Sequence, residues 1–176
     1  LLAFVHMRAL SAPAVASEGP VSEGRIRRAA AHARRAGLRV MLKLHLWHDS
    51  FHGGAGWAGD VAMADAGAWA RWFASYREAA LDHARMARDI GAEVYAFGTE
   101  LVRATAEPSL REAWRALAAD LRARFPGRLT YAAHASEVER VPFWDLLDLV
   151  GVNVYAPLGE GGLAASPEWE RLGDVS

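Results

Sequence analysis

Strand-like and helix-like segments alternate along this chain, and that alternation constrains its fold more than any other feature. Five short apolar segments have the strand pattern: 2–8, 38–46, 92–99, 128–134 and 148–155. Between them, apolar residues recur every three to four positions, as on one face of a helix. This spacing predicts helices over 22–36, 66–90, 109–125 and 138–146, and a last one beginning near residue 166. Strands separated by helices pair in parallel through crossover connections, so the sequence predicts an α/β fold.

Each strand has one aliphatic face and one face that becomes polar toward its carboxyl end. The second strand alternates three leucines with Lys43, His45 and Trp47. An open doubly wound sheet carries helices on both faces and needs two aliphatic faces. A closed barrel covers one face with helices and holds its site at the top of the other. The sequence therefore predicts an incomplete (β/α)8 TIM barrel, with about five of the eight βα units.

Composition excludes several functional classes. The 176 residues carry 20 basic and 21 acidic side chains, a net charge of −1, so neither nucleic acid nor a membrane is an expected partner. The absence of cysteine excludes disulfides and thiol catalysis. The chain starts without methionine inside a strand-like segment, so we expect it to be part of a longer polypeptide. Oligomeric state and localisation stay open.

Glu100 is the candidate catalytic acid. It follows Gly98 and Thr99 at the end of an apolar and aromatic segment, and barrel enzymes place catalytic groups at the carboxyl tips of their strands. The alternative is an acid that only stabilises the first turn of the next helix. Glu137 and Glu139 belong most simply to a solvated helix start.

Polar residues on two other strands are candidates for lining the same site. Lys43 is the only lysine of the chain, and it lies among aliphatic residues in a strand, together with His45 and Trp47. Asn153 and Tyr155 occupy the polar face at the tip of the last strand. These five side chains are predicted to bind substrate hydroxyls or to orient a carboxylate. The alternative for Lys43 is an interior ion pair without a role in binding.

The long loop over 47–65 is rich in glycine and aromatic residues. Trp57 in this loop is predicted to stack on a sugar, whose apolar face suits an indole ring. The alternative is a loop that folds its aromatic residues back onto the barrel. His45 and His48 stand three positions apart, which places them on opposite faces of a strand and disfavours a metal site. We therefore expect neither a metal nor another cofactor.

Several motifs, in order, resemble glycoside hydrolase family 113. They are Leu42-Lys43-Leu44-His45, Trp69-Ala70-Arg71-Trp72-Phe73-Ala74-Ser75-Tyr76, His83-Ala84-Arg85-Met86-Ala87, Phe97-Gly98-Thr99-Glu100-Leu101, Leu129-Thr130-Tyr131-Ala132-Ala133, and Phe143-Trp144-Asp145-Leu146-Leu147-Asp148 leading to Asn153-Val154-Tyr155. The resemblance covers nearly the whole chain. The tryptophan-rich helix and the Gly-Thr-Glu-Leu segment are fairly specific when they occur together.

The resemblance implies a clan A barrel with retaining endo-β-mannanase activity on β-1,4-mannan. It makes Glu100 the general acid/base, and it equates the five strands with strands 2 to 6 of the barrel. The nucleophile glutamate of the family lies at the seventh strand, which this chain does not reach. Residues 1–176 are thus expected to form part of one catalytic domain and to be inactive alone. An oligo- or polysaccharide is the expected partner.

Two other functions remain open from the residues themselves. The first is a non-catalytic barrel that binds carbohydrate or has a structural role, in which Glu100 would not affect sugar turnover. The second is a metal-dependent barrel hydrolase that uses the histidines.

Overall fold

The structure, a computed structural model, describes residues 1–16 and 21–155. In these residues five parallel strands form one sheet in the order β1-β2-β3-β4-β5, so each strand pairs with its neighbours in sequence. Their bounds are Leu2–His6 (β1), Met41–Trp47 (β2), Val94–Thr99 (β3), Arg128–His134 (β4) and Gly151–Asn153 (β5). Sequential parallel pairing is the connectivity of a (β/α) barrel, and it confirms the predicted α/β class and the existence of all five strands.

Within the described residues, four α-helices lie between β1 and β4. They are Glu23–Arg35 (α1), Ala66–Asp89 (α2), Val102–Ala106 (α3) and Arg111–Arg124 (α4). The three long helices match the predicted ones to within two residues at each end, and the short helix α3 was not predicted. None of the described helices is both long enough and apolar enough to cross a bilayer.

The predicted helix over 138–146 is wrong. The structure has two single 3-10 turns there, Val138–Arg140 and Trp144–Leu146. Pro142 lies between them, and proline has no N–H to continue a helical ladder. Val141, immediately before it, is extended, as the residue before proline prefers. The helix predicted near residue 166 lies outside the described residues.

Helix α2 shows how the sequence builds the outer layer. The Asp65 carboxylate accepts a hydrogen bond from the Ala68 N–H at 2.7 Å and so caps the first turn. Beyond the cap, one face of the helix is buried against the sheet. On this face the Trp72 and Tyr76 rings stack with their centroids 5.1 Å apart, and the Tyr76 hydroxyl donates to the Phe97 carbonyl at 2.7 Å. The helix is thereby fixed over β3.

The two faces of the sheet differ as the sequence predicts. In β2, Leu42, Leu44 and Leu46 are fully buried under the helices, whereas Lys43 and His45 on the opposite face are half-buried. The polar face is the side that a closed barrel would enclose. Because all strands are parallel, the carboxyl ends of β1 to β5 meet along one edge of that face.

Buried His83 makes the fold sensitive to acid. The ring lies in α2, where burial lowers its pKa, although a hydrogen bond to the Ala79 carbonyl and the charges of Asp82 and Glu23 oppose the shift. The unfolded chain binds a proton near pH 6.5, whereas the folded chain does so only at lower pH. Stability is therefore fully present above about pH 6.5 and falls as the pH drops below it.

We expect the variant His83→Gln to lose less folding stability at acidic pH than the wild-type chain. The urea midpoint of the wild-type chain should fall between about pH 7.5 and about pH 5.5, and that of His83→Gln should fall less. Circular dichroism at the two pH values measures the difference. An equal fall in both proteins would contradict the assignment.

Candidate active site

Glu100 lies directly after β3, at the carboxyl edge of the sheet. Its side chain is buried, with 9% of the residue exposed, and its N–H donates to the Ala132 carbonyl of β4 at 2.9 Å. Its φ of +53° places it in the left-handed region, and no other non-glycine among the described residues has a positive φ. This conformation costs a non-glycine residue about 1–2 kcal/mol, so the surroundings must impose it.

Hydrogen bonds connect Lys43 of β2 to Glu100 through the side chain of Asn153. The Asn153 amide of β5 donates through Nδ2 to Glu100 Oε1 at 2.8 Å. On its other side, Asn153 Oδ1 accepts from Lys43 Nζ at 3.4 Å. The Lys43 ammonium can only donate, so it takes the amide oxygen of Asn153 and leaves the amide N–H₂ group to donate to Glu100.

Tyr155 and His45 complete the surroundings of Glu100. Tyr155 is largely exposed; partial burial raises the pKa of its hydroxyl, and the nearby Glu100 carboxylate adds to the shift. His45 donates from Nδ1 to the Leu46 carbonyl at 2.9 Å. Burial lowers the pKa of His45, and the Lys43 charge lowers it further. Burial also lowers the pKa of Lys43, while Glu100 opposes that shift.

Trp57 lies over the neighbouring strand tip. Its half-buried ring packs edge-to-face on His134, with centroids 4.9 Å apart, and His134 is in register with Asn153. The ring also covers Gly59, where an added Cβ would come within 2.5 Å of the indole. The loop therefore folds Trp57 onto the sheet edge, next to the strand tip that carries Asn153. The Trp57 ring stays partly exposed there.

Trp47 lies at the end of β2, beyond Lys43 and His45 on the same face. Its ring packs edge-to-face with Phe4 of β1 and with Phe51 of the following loop, at centroid distances of 5.8 Å each. The structure thus gathers Lys43, Asn153 and Tyr155 around Glu100, and it places the two tryptophans at the margins. The roles predicted for these residues stay predictions.

A β-bulge directs the end of β3, and sequence analysis did not predict it. Ala96 pairs with Thr130 but Thr99 pairs with Ala132, so three steps on β3 match two on β4. The bulge brings Gly98 against the helix layer. A Cβ there would lie 2.8 Å from both Tyr131 and Tyr76, so only glycine fits.

The interpretation of Glu137 as part of a solvated helix start is wrong. The side chain is buried, with 1% of the residue exposed. Its carboxylate accepts hydrogen bonds from the Thr105 hydroxyl at 2.6 Å, the His134 N–H at 2.9 Å and the Tyr131 hydroxyl at 3.2 Å. Burial raises the pKa of Glu137, and these three donors oppose the shift. No local sequence signal marks Glu137, because one of its partners, Thr105, lies more than thirty positions away in another element.

The histidines do not assemble a metal centre within residues 1–16 and 21–155, where no group of three or more histidine, aspartate or glutamate side chains is placed to hold an ion. His48 uses both ring nitrogens in the protein, at 2.7 Å from the Ser50 hydroxyl and 3.1 Å from the Arg8 carbonyl. The chemistry available at the strand tips is that of a buried carboxyl group that accepts a hydrogen bond from an amide, with an ammonium group bonded to the far side of that amide.

Comparison with known proteins identifies the family of this chain. The family model for Glycoside Hydrolase Family 113 matches residues 11–175. The chain belongs to this family. No curated protein matches the chain.

Solved structures of the same family share the fold. The chain is similar to the family 113 β-mannanase AaManA from Alicyclobacillus acidocaldarius, solved in complex with ManMIm, with 28% identity, a TM-score of 0.76, and coverage of 87% of this chain and 49% of that one. A family 113 β-1,4-mannanase structure matches with 24% identity and a TM-score of 0.78, covering 97% and 53%. The chain thus has the fold of part of a TIM-barrel mannanase and spans about half the length of these proteins.

Proposed function

We propose that this chain is the acid/base part of a retaining glycoside hydrolase that cleaves β-1,4-mannan. One observation carries the proposal: in a chain of family 113, the Glu100 carboxyl is buried at a strand tip and bound by Asn153, with Lys43 behind it. Residues 1–176 would then be part of one catalytic barrel domain.

Glu100 acts as the proton donor in this proposal. Because Asn153 donates to Oε1, we assign the transferred proton to the other oxygen, Oε2, which would face the glycosidic oxygen. In the first step Glu100 protonates the leaving oxygen while a second carboxylate attacks the anomeric carbon and forms a glycosyl-enzyme. In the second step the Glu100 carboxylate takes a proton from water, which displaces the enzyme carboxylate and regenerates the acid.

The polysaccharide would lie along the carboxyl edge of the sheet. Lys43, His45 and Asn153 offer hydrogen-bonding groups there, and the partly exposed Trp57 ring offers an apolar surface for a sugar. Mannan is the favoured substrate because AaManA, at 28% identity, is described as a β-mannanase. We propose that the nucleophile comes from a strand beyond the five described here, since the barrel has eight.

A product analysis tests this proposal. The complete barrel, meaning a polypeptide that contains this chain together with the remaining strands, is incubated with mannotetraose and, as a control, cellotetraose. We expect cleavage of mannotetraose, with the β configuration of the new reducing end seen first by proton NMR. Release of the α configuration, preference for cellotetraose, or saccharide binding without cleavage would overturn it; the last result would favour the non-catalytic barrel.

The isolated 176-residue chain is expected to be inactive. Retaining hydrolysis needs two carboxyl groups about 5 Å apart, and the proposal provides only one of them in this chain. Reducing-sugar release from mannan by the isolated chain, compared with the complete barrel at equal concentration, measures this. Turnover by the isolated chain would place the nucleophile within these 176 residues and contradict the prediction.

A further inference from the structure

The left-handed turn at Glu100 is held from the helix side. Leu101, the next residue, donates its N–H to the Tyr131 hydroxyl at 2.6 Å. Tyr131 is fully buried, and its ring is fixed in β4 against the Phe97 and Phe143 rings. The peptide that follows the candidate acid is therefore attached to a rigid side chain of the neighbouring strand.

The direction of this hydrogen bond depends on Glu137. A phenol has one hydrogen, and Tyr131 must accept from Leu101 through its oxygen. Its own hydrogen points to Glu137 Oε1, 3.2 Å away. Both oxygens of Glu137 already accept hydrogen bonds, Oε1 from the His134 N–H and Oε2 from the Thr105 hydroxyl, so Glu137 serves Tyr131 as an acceptor. The Tyr131 hydrogen therefore stays on the Glu137 side, and the lone pairs of the phenol oxygen are left to the Leu101 N–H.

The partners described for Glu137 need oxygens that accept. They are neutral donors, from Thr105, Tyr131 and the His134 backbone. An apolar side chain would leave these buried donors without an acceptor. An amide side chain would offer one acceptor oxygen and one donor group, whereas both oxygens of Glu137 accept, so the Tyr131 hydroxyl keeps one donor direction.

We propose that Glu137 and Tyr131 are positioning residues for Glu100. Glu137 orients the Tyr131 hydroxyl, Tyr131 holds the Leu101 N–H, and the resulting turn directs the Glu100 carboxyl to Asn153 and to the leaving oxygen. The inference rests on the proposed role of Glu100 as acid/base. It adds two residues that lie behind the sheet edge and do not touch the substrate.

The variant Tyr131→Phe in the complete barrel tests this inference with two substrates. Mannotetraose needs protonation of its leaving group, whereas a dinitrophenyl β-mannoside of similar length does not. A misplaced acid should lower kcat for mannotetraose by about 10²-fold with little change in KM, and it should leave the formation of the glycosyl-enzyme from the dinitrophenyl substrate within about threefold of wild type.

Tyr95→Phe is the matched control. Tyr95 is also fully buried and loses one hydroxyl bond, to the Ala80 carbonyl at 2.9 Å, but it lies away from Glu100. Glu137→Gln should behave like Tyr131→Phe, because its amide can donate to the phenol and compete with Leu101. Equal losses on both substrates in Tyr131→Phe, or the same substrate dependence in Tyr95→Phe, would overturn the inference.

Crystal structures of wild type and Tyr131→Phe separate this inference from the proposed function. We expect the variant to lose the 2.8 Å contact between Asn153 Nδ2 and Glu100 Oε1. If the wild-type barrel cleaves neither substrate, the proposed function fails, and the crystal structures alone decide whether the network positions Glu100. An unchanged Glu100 turn in the variant would then overturn the inference.

Discussion

Replacing Glu100 by alanine in the complete barrel is expected to lower kcat/KM for mannotetraose by about 10²- to 10⁴-fold, the range that general acid–base catalysis contributes. The loss arises because no proton reaches the leaving oxygen and no base activates water. With a dinitrophenyl β-mannoside the first step should stay fast, since this leaving group needs no proton. Steady-state and burst-phase kinetics on the two substrates measure the split.

Azide provides a second readout for the same variant. The truncated side chain leaves space beside Asn153 for a small anion, and azide needs no general base. We expect azide to accelerate turnover of the dinitrophenyl substrate by Glu100→Ala and to give a β-mannosyl azide, which mass spectrometry and NMR identify. Glu139→Ala is the control, because Glu139 is an exposed acid near another strand tip. Loss of activity on both substrates without azide rescue would remove Glu100 from the acid/base role.

The sequence predicted the layers of this fold because they depend on local periodicity. Alternation in β2 separates Leu42, Leu44 and Leu46 from Lys43 and His45, and the structure buries the first set under helices. The same rule brought together residues distant in the chain. Since parallel strands end at one edge, Glu100 and Asn153 could be predicted to meet although they lie 53 positions apart.

Features that depend on packing between elements could not be predicted in this way. The bulge in β3 becomes evident only from its register with β4. At this bulge Tyr76 and Tyr131 approach Gly98 closely, and both side chains belong to other elements. Glu137 reads as an ordinary surface acid until the short helix α3 brings Thr105 to it. Pro142 is the exception, because its effect on the predicted helix is local and was open to sequence analysis.

Loss of Trp114 should strongly destabilise the fold. It is fully buried, and its indole N–H donates to the Ala104 carbonyl at 2.9 Å. Its ring stacks on Phe143, with centroids 5.3 Å apart, and packs edge-to-face with Phe73 and Tyr131 at 4.9 and 6.3 Å. We expect Trp114→Ala to lower the free energy of unfolding by about 3–5 kcal/mol, since both the buried area and the cavity left behind contribute.

Urea unfolding followed by circular dichroism measures this change, and Trp144→Ala is the matched control. Trp144 also contacts Phe143 and Tyr131, at centroid distances of 6.3 and 6.1 Å, and its N–H donates to the Val138 carbonyl, but it is only half-buried. Its removal should cost less, because water can enter the space. A loss below about 1 kcal/mol for Trp114→Ala, or a larger loss for Trp144→Ala, would show that the aromatic cluster does not centre on Trp114.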